Sequence, residues 1–260
     1  MTEQPVLLGW DGPVATLTLN RPDKLNALNP DLLRALLAAQ EEIRRRESVR
    51  AVLLHGAGRV FCAGADLAYI ESIYQDPVAS RENLRLLRDA ILGLERLPVP
   101  VIVAVHGVAL AGGLELMLGC DLVVAAESAR IGDQHMNFGF IPGGGSTQRL
   151  PRWIGPARAR DLLYTGRWLS AREAWELGLV SRVVPDADLL DAAAALAREV
   201  ASRSPEAMSA TKRLARLADG PGLESGLDEE IETVLAFYRS PAFAQALRDF
   251  RERKQRREAS

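Results

Sequence analysis

Over residues 1–190 short β-rich runs alternate with stretches of helical periodicity, and beyond them every periodic stretch is helical. That order restricts the chain to an α/β core with a layered interior, followed by a helical region at 191–260. Residues 14–19 (VATLTL) alternate in size and polarity like a half-buried strand, entered through the turn signal Asp11-Gly12-Pro13. Asn29 is placed as an N-cap ahead of Pro30 at the first helical position. Leu33, Leu36, Leu37 and Ile43 then give an apolar stripe that ends in the solvated run 44–47. Further strands are expected at 51–54, 99–105 and 122–126, with a helix at 81–97, and 179–184 (LVSRVV) reads as the last strand. Helices are expected at 188–203, 205–218, 223–238 and 242–257, punctuated by Pro and Gly. Such a region either packs on its own core or mediates assembly.

Composition excludes several classes of function. The chain carries 32 basic and 34 acidic residues, a net charge of −2, which argues against a general nucleic-acid binder. Only Lys24, Lys212 and Lys254 are lysines, and none sits in an apolar run where a Schiff base would form. Cys62 and Cys120 lack metal-like spacing, which fits a reducing compartment and leaves no zinc or disulfide framework. No apolar run approaches the ~18 residues of a membrane span, and residues 1–5 are too polar to begin a signal peptide. A cytoplasmic globular enzyme is the expectation.

Three segments spend glycine where neither helix nor strand wants it: 55–66 (HGAGRVFCAGAD), 107–115 (GVALAGGLE) and 139–149 (GFIPGGGSTQR). Each alone fits a tight turn. The first two, however, follow expected strands and run into helix-like segments, a junction that exposes backbone N–H groups to negative charge. Phosphate is not the expected charge: no lysine accompanies these glycines as a P-loop requires, and the dinucleotide spacing G-x-G-x-x-G fails after Gly56 and after Gly107. A nicotinamide oxidoreductase is therefore disfavoured. Two N–H donors from separate junctions can instead flank one developing oxyanion.

The sequence resembles the crotonase (enoyl-CoA hydratase/isomerase) superfamily along nearly its whole length. The resemblance rests on Asn20-Arg21-Pro22 with Asn26-Ala27-Leu28, on 61–67 (FCAGADL), on 109–115 (ALAGGLE) with Cys120-Asp121, and on 141–150 (IPGGGSTQRL). Thr165-Gly166-Arg167, Gly178-Leu179-Val180 and 250–254 (FRERK) complete the series in order and at family spacing.

The likeness implies a fold that is a spiral of ββα turns, and an acyl-CoA thioester whose carbonyl oxygen sits between the amides of Ala65 and Gly112. It implies no cofactor, since coenzyme A arrives as part of the substrate, and no metal. Glu115 falls on one of the family's two catalytic glutamates. Among Leu114, Leu116, Met117 and Leu118 its carboxyl should be desolvated and its pKa raised toward that of a working base. The bland alternative is a carboxylate that merely suits a helix N-terminus. The second glutamate is replaced: by position it lands on His135, within Gly132-Asp133-Gln134-His135. In the family's hydration Glu115 activates water for attack at C3, and a protonated His135 would deliver the C2 proton. Otherwise His135 is a structural histidine lining the acyl pocket. Asp133 is near, but two residues along a chain usually point elsewhere. His55 and His106 are expected to be structural.

Substrate contacts are implied at Lys24, Ala63, Asp66, Leu67 and Gly143, the last near the bound water, and Ser146 either lines the pocket or caps a helix. Phe250 and Arg253 match positions that reach the coenzyme A of a neighbouring subunit, although 248–257 with its five arginines also suits a solvated helix face. The family's usual assembly makes residues 191–260 a trimerisation region, in a homotrimer or homohexamer. The leading expectation is hydration of a 2-enoyl-CoA. The rivals are enoyl-CoA isomerisation or acyl-CoA hydrolysis through His135, and non-catalytic acyl-CoA binding.

Overall fold

The computed structural model describes residues 4–218, 220, 222–243, 245, 248 and 252. Its elements are β1 (Val6–Asp11), β2 (Val14–Leu19), α1 (Pro30–Arg45), β3 (Ala51–Gly56), α2 (Leu67–Ile73), α3 (Pro77–Glu95), β4 (Val101–Val105) and β5 (Val108–Leu110). Then follow α4 (Gly112–Leu118), β6 (Leu122–Ala126), β7 (Arg130–Gly132), α5 (Ser146–Ile154), α6 (Pro156–Thr165), β8 (Leu169–Ser170), α7 (Ala171–Glu176) and β9 (Arg182–Val184). The last three are α8 (Leu189–Ala201), α9 (Pro205–Leu217) and α10 (Leu223–Tyr238).

One sheet runs β1-β2-β3-β4-β6-β9, with only the β1–β2 pair antiparallel. Its strands follow chain order and never reverse, so it has no topological switch point of the kind that defines a doubly wound sheet. A second sheet, β5-β7-β8, takes one strand from each later turn of the chain. Isolated bridges Leu28–Ala65 and Cys62–Ala109 continue that layer backward through the earlier turns. The turns that begin with β2, β3, β4 and β6 thus each place one strand in the large sheet, a short extended segment in the other layer, and then a helix. This is the expected spiral of ββα units.

The local signals explain themselves physically. Asn29 Oδ1 accepts from the Leu32 amide at 3.0 Å with Pro30 at the first helical position, and the buried face of α1 includes Leu33, Leu36 and Ile43. β3 and β4 are buried almost throughout, as strands covered on both faces must be. The α3 helix starts at Pro77, four residues ahead of the expected start at 81, because Asp76 caps the amides of Val78 and Ala79. The strand expected at 179–184 shortens to β9 because the amides of Leu179 and Val180 both turn back to the Ala174 carbonyl and close α7.

The chain divides into two compact units, Met1–Ala201 and Ser202–Ser260. The expected division at 190/191 falls earlier. α8 stays with the first unit because Leu189, Ala193, Leu196, Ala197 and Ala201 form a buried face that packs on β3, β4 and β6. Within the second unit α9 packs on α10, and Arg213 pairs with Glu229 at 2.6 Å. The helix expected at 242–257 lies mostly outside the described residues. Among those described, no helix is long and apolar enough to cross a membrane, and no group of His, Cys, Asp and Glu could hold a metal ion.

Candidate active site

Two loops are laid side by side by backbone pairing. The loop after β3 joins β5 at Cys62, whose amide donates to Val108 O and whose carbonyl accepts from the Leu110 amide, each at 3.1 Å. The same loop is tied on its other flank, where Leu28 N–H donates to Gly64 O at 2.7 Å and Asp66 N–H to Leu28 O at 2.9 Å. Asn26, fully buried, spans the base of the loop: its Nδ2 lies within hydrogen-bond reach of the carbonyls of Ala57, Val60 and Phe61.

This pairing brings the Ala65 and Gly112 amides together. A Cβ added at Gly112 would lie 3.4 Å from the Ala65 nitrogen, and one added at Gly64 would lie 3.3 Å from the Gly112 nitrogen. Among the described residues neither amide donates to the protein. Between β5 and α4, Ala111 adopts φ 48° and ψ −112°, a backbone conformation that L residues rarely hold, with its own amide anchored to Gly132 O at 2.9 Å. Such strain costs about 1–3 kcal/mol and persists where the surroundings impose it. Two unpaired amides so close together can hold one oxygen that is gaining charge.

Glu115 lies in the first turn of α4 and is 1% exposed. Its Oε1 accepts from the Gly144 amide at 2.8 Å and the Ser146 amide at 3.0 Å. Burial pushes the carboxyl above its ordinary range, against the opposing pull of the Ser146 hydrogen bond, the His135 charge and the Gly144 hydrogen bond. Two donors on one oxygen fix the group's orientation, and Oε2 accepts no hydrogen bond among the described residues. The glycine run is needed because a Cβ at Gly144 would stand 2.5 Å from Oε2. Arg149 braces the same run, donating to Gly144 O at 2.8 Å while pairing with Glu95 at 2.5 Å. Ser146 does not cap α5: Gly145 is the N-cap, and Ser146 contributes its amide.

His135 stands close enough to Glu115 for their charges to act on each other, and Asp133 Oδ1 lies 3.0 Å from its Nδ1. In an extended chain two residues with one between them, such as Asp133 and His135, share a face, whereas most other local geometries point them apart, as the sequence alone suggests. The structure corrects that expectation, because Gln134 between them takes a left-handed turn (φ 59°, ψ −9°) that folds the two side chains together. Gln134 is held there by a hydrogen bond from its Nε2 to Gly166 O and by one accepted from Asn137 Nδ2 at 2.8 Å. Burial disfavours the imidazolium, but the hydrogen bond and charge of Asp133, joined by the charge of Glu115, outweigh it and raise the His135 pKa.

The remaining expected positions fall as follows. Lys24 ends an exposed single turn at Pro22–Lys24. Ala63 donates its amide to Leu25 O at 3.0 Å, and Leu67 is largely exposed at the start of α2. Gly143 is exposed beside Leu84. Asp66 is spent locally: it caps α2 through the Tyr69 amide and pairs with Arg21 at 3.0 Å. Phe250 and Arg253 lie outside the described residues. His55 bonds Thr18 at 2.9 Å and His106 bonds Gly58 O at 3.0 Å. Burial pushes the Cys62 thiol up to about 12, so it is an inert core group.

The chain belongs to the enoyl-CoA hydratase/isomerase family, whose sequence model matches residues 10–257. It is similar to the putative enoyl-CoA hydratase/isomerase YngF of Bacillus subtilis, 43% identical over 82% of this chain and 80% of that protein. It is also similar to the short-chain-enoyl-CoA hydratase of Clostridium acetobutylicum, 37% identical over 92% and 88%. The crystal structure of an enoyl-CoA hydratase from Bacillus anthracis superposes with a TM-score of 0.92 at 37% identity, covering 96% of this chain and 97% of that one.

Proposed function

We propose that this protein is an enoyl-CoA hydratase, a lyase that adds water across the double bond of a 2-enoyl-CoA. The observation that carries this reading is the grouping of Glu115, clamped by two amides, with His135 and the adjacent free amides of Ala65 and Gly112. The Glu115 carboxylate takes a proton from water through Oε2 as the oxygen bonds to C3 of the substrate. Electrons of the double bond move onto the thioester oxygen, where the Ala65 and Gly112 amides form the oxyanion hole; each such donor is worth ~3–4 kcal/mol in a transition state. The enolate collapses by taking a proton at C2 from the His135 imidazolium. Transfer of the proton from Glu115 back to His135 restores the starting state, so no cofactor is consumed.

By the family likeness Lys24 serves the nucleotide of coenzyme A, while Ala63, Asp66, Leu67 and Gly143 border the acyl thioester, Asp66 by holding its loop to Arg21. By the same likeness Phe250 and Arg253 reach the coenzyme A of a neighbouring subunit. A homotrimer or homohexamer built through residues 191–260, working in the cytoplasm on fatty acyl thioesters, completes the reading.

Crotonyl-CoA and a panel of longer 2-enoyl-CoA thioesters test it directly. Loss of the conjugated absorbance is expected, and no hydration of any chain length would overturn the assignment. The pH profile should be bell-shaped, because the working state needs Glu115 ionised and His135 protonated. Its acid limb should lie above the ordinary carboxylate range and its alkaline limb above the ordinary histidine value of about 6.5, both being properties of the coupled pair. A rate flat from about pH 5 to 9 would exclude His135 from the chemistry.

A further inference from the structure

We propose that Asp133 is a positioning residue that holds the His135 ring with Nδ1 protonated, leaving Nε2 as the atom that gives the C2 proton to the enolate. The inference rests on the hydratase reading for the reaction step, but the pairing it starts from is a property of this chain's own geometry. Asp133 is 1% exposed and His135 13% exposed on its side chain, with 3.0 Å between Oδ1 and Nδ1. A carboxylate oxygen can only accept, so Nδ1 carries the proton in both charge states of the ring.

The other carboxyl oxygen, Oδ2, is buried and has no hydrogen-bond partner among the described residues. The carboxylate is therefore buried with the imidazolium as its only neutralising partner among the described residues, which favours the protonated ring. The backbone is bent to obtain this contact. Gln134 is one of four non-glycine residues with positive φ among those described, and its side chain is pinned on both ends to keep the turn. The C-terminal end of α6 packs against the turn through Gly166, but the charges that act on the ring are those of Asp133 and Glu115. A structural histidine would need neither the strained turn nor a buried carboxylate behind it. The arrangement gives a histidine–aspartate pair in the place where the family pattern carries a single acid.

The first test uses the unaltered protein. Nitrogen-15 NMR of the histidine rings, with His135 assigned by the signal lost in His135→Gln, should show the Nδ1–H tautomer above its pKa; an Nε2–H tautomer would overturn the proposal. In the second, Asp133→Asn keeps an acceptor for Nδ1–H but removes the charge. The His135 titration should then move to lower pH and carry the alkaline limb of kcat with it. We expect kcat to fall at least about tenfold but by no more than the 10²–10⁴ that a positioned general acid contributes in full, with KM little changed. An unmoved titration together with an unmoved alkaline limb would refute the role. If Asp133→Asn does not fold, the tautomer of the unaltered protein still decides. If the protein shows the predicted tautomer and titration but hydrates no enoyl-CoA, the pairing stands and the hydratase reading falls.

Discussion

Glu115→Gln is expected to lower kcat for hydration by about 10²–10⁴-fold, the range of a positioned acid–base group, without lowering the thermal stability of the protein at neutral pH. The amide keeps an Oε1 that can accept from Gly144 and Ser146, so the loop stays in place, but it cannot take a proton from water. The stability half follows from the direction in which burial moves the carboxyl. Its folded pKa lies above the ordinary carboxylate value. Such a group destabilises the fold only when ionised: the cost is absent below the unfolded pKa, grows as pH rises through the folded one, and is complete above it. The variant is free of that cost. Relative to the parent, its melting temperature should thus improve as pH rises from the acid range to neutrality. A variant that retains parental turnover, or that loses stability selectively at neutral pH, would contradict this role for Glu115.

Gly113→Ala is expected to damage fold and activity together. A Cβ there would stand 2.3 Å from the Cys62 carbonyl oxygen and 3.0 Å from its carbon, and a backbone carbonyl bound to the Leu110 amide cannot step aside. The start of α4 must retreat, carrying the Gly112 amide away from Ala65 and Glu115 away from the Gly144 and Ser146 amides. Overpacking of this kind costs about 1–3 kcal/mol, and at this chain length each kcal/mol lowers Tm by roughly 2–4 °C. Displacing reacting groups by about 1 Å costs on the order of a hundredfold in rate. Urea unfolding and kcat on the same preparation check both halves. Parental kcat in a folded Gly113→Ala protein would show that the close approach of the two loops does not matter.

Features set by a residue's own backbone preferences were legible in the sequence: Asn29 before Pro30, the alternation of 14–19, and the glycine runs. Gly113 and Gly144 announce themselves because only glycine lets Cys62 O and the Glu115 carboxyl come so near. What escaped depends on partners distant in the chain. β5, only three residues long, exists because it pairs with β7 and with Cys62. The ends of α8 gave no sign that its apolar face belongs to the large sheet. Asn26 was visible within a motif, yet its bonds to three carbonyls of another loop were not. The left-handed Gln134 broke expectation most consequentially, since ordinary geometry would separate Asp133 from His135. The burial that raises the Glu115 pKa was foreseen from its apolar neighbours, whereas the two amides that orient it come from a loop far along the chain.

The proposal that the amides of Ala65 and Gly112 act on one thioester oxygen can be tested spectroscopically. Crotonyl-CoA labelled with carbon-13 at the carbonyl, bound to the Glu115→Gln protein so that it persists, should show its carbonyl stretch shifted to lower frequency than in water by isotope-edited infrared difference. A stretch unchanged from that of the free thioester would mean that these two amides do not polarise the carbonyl.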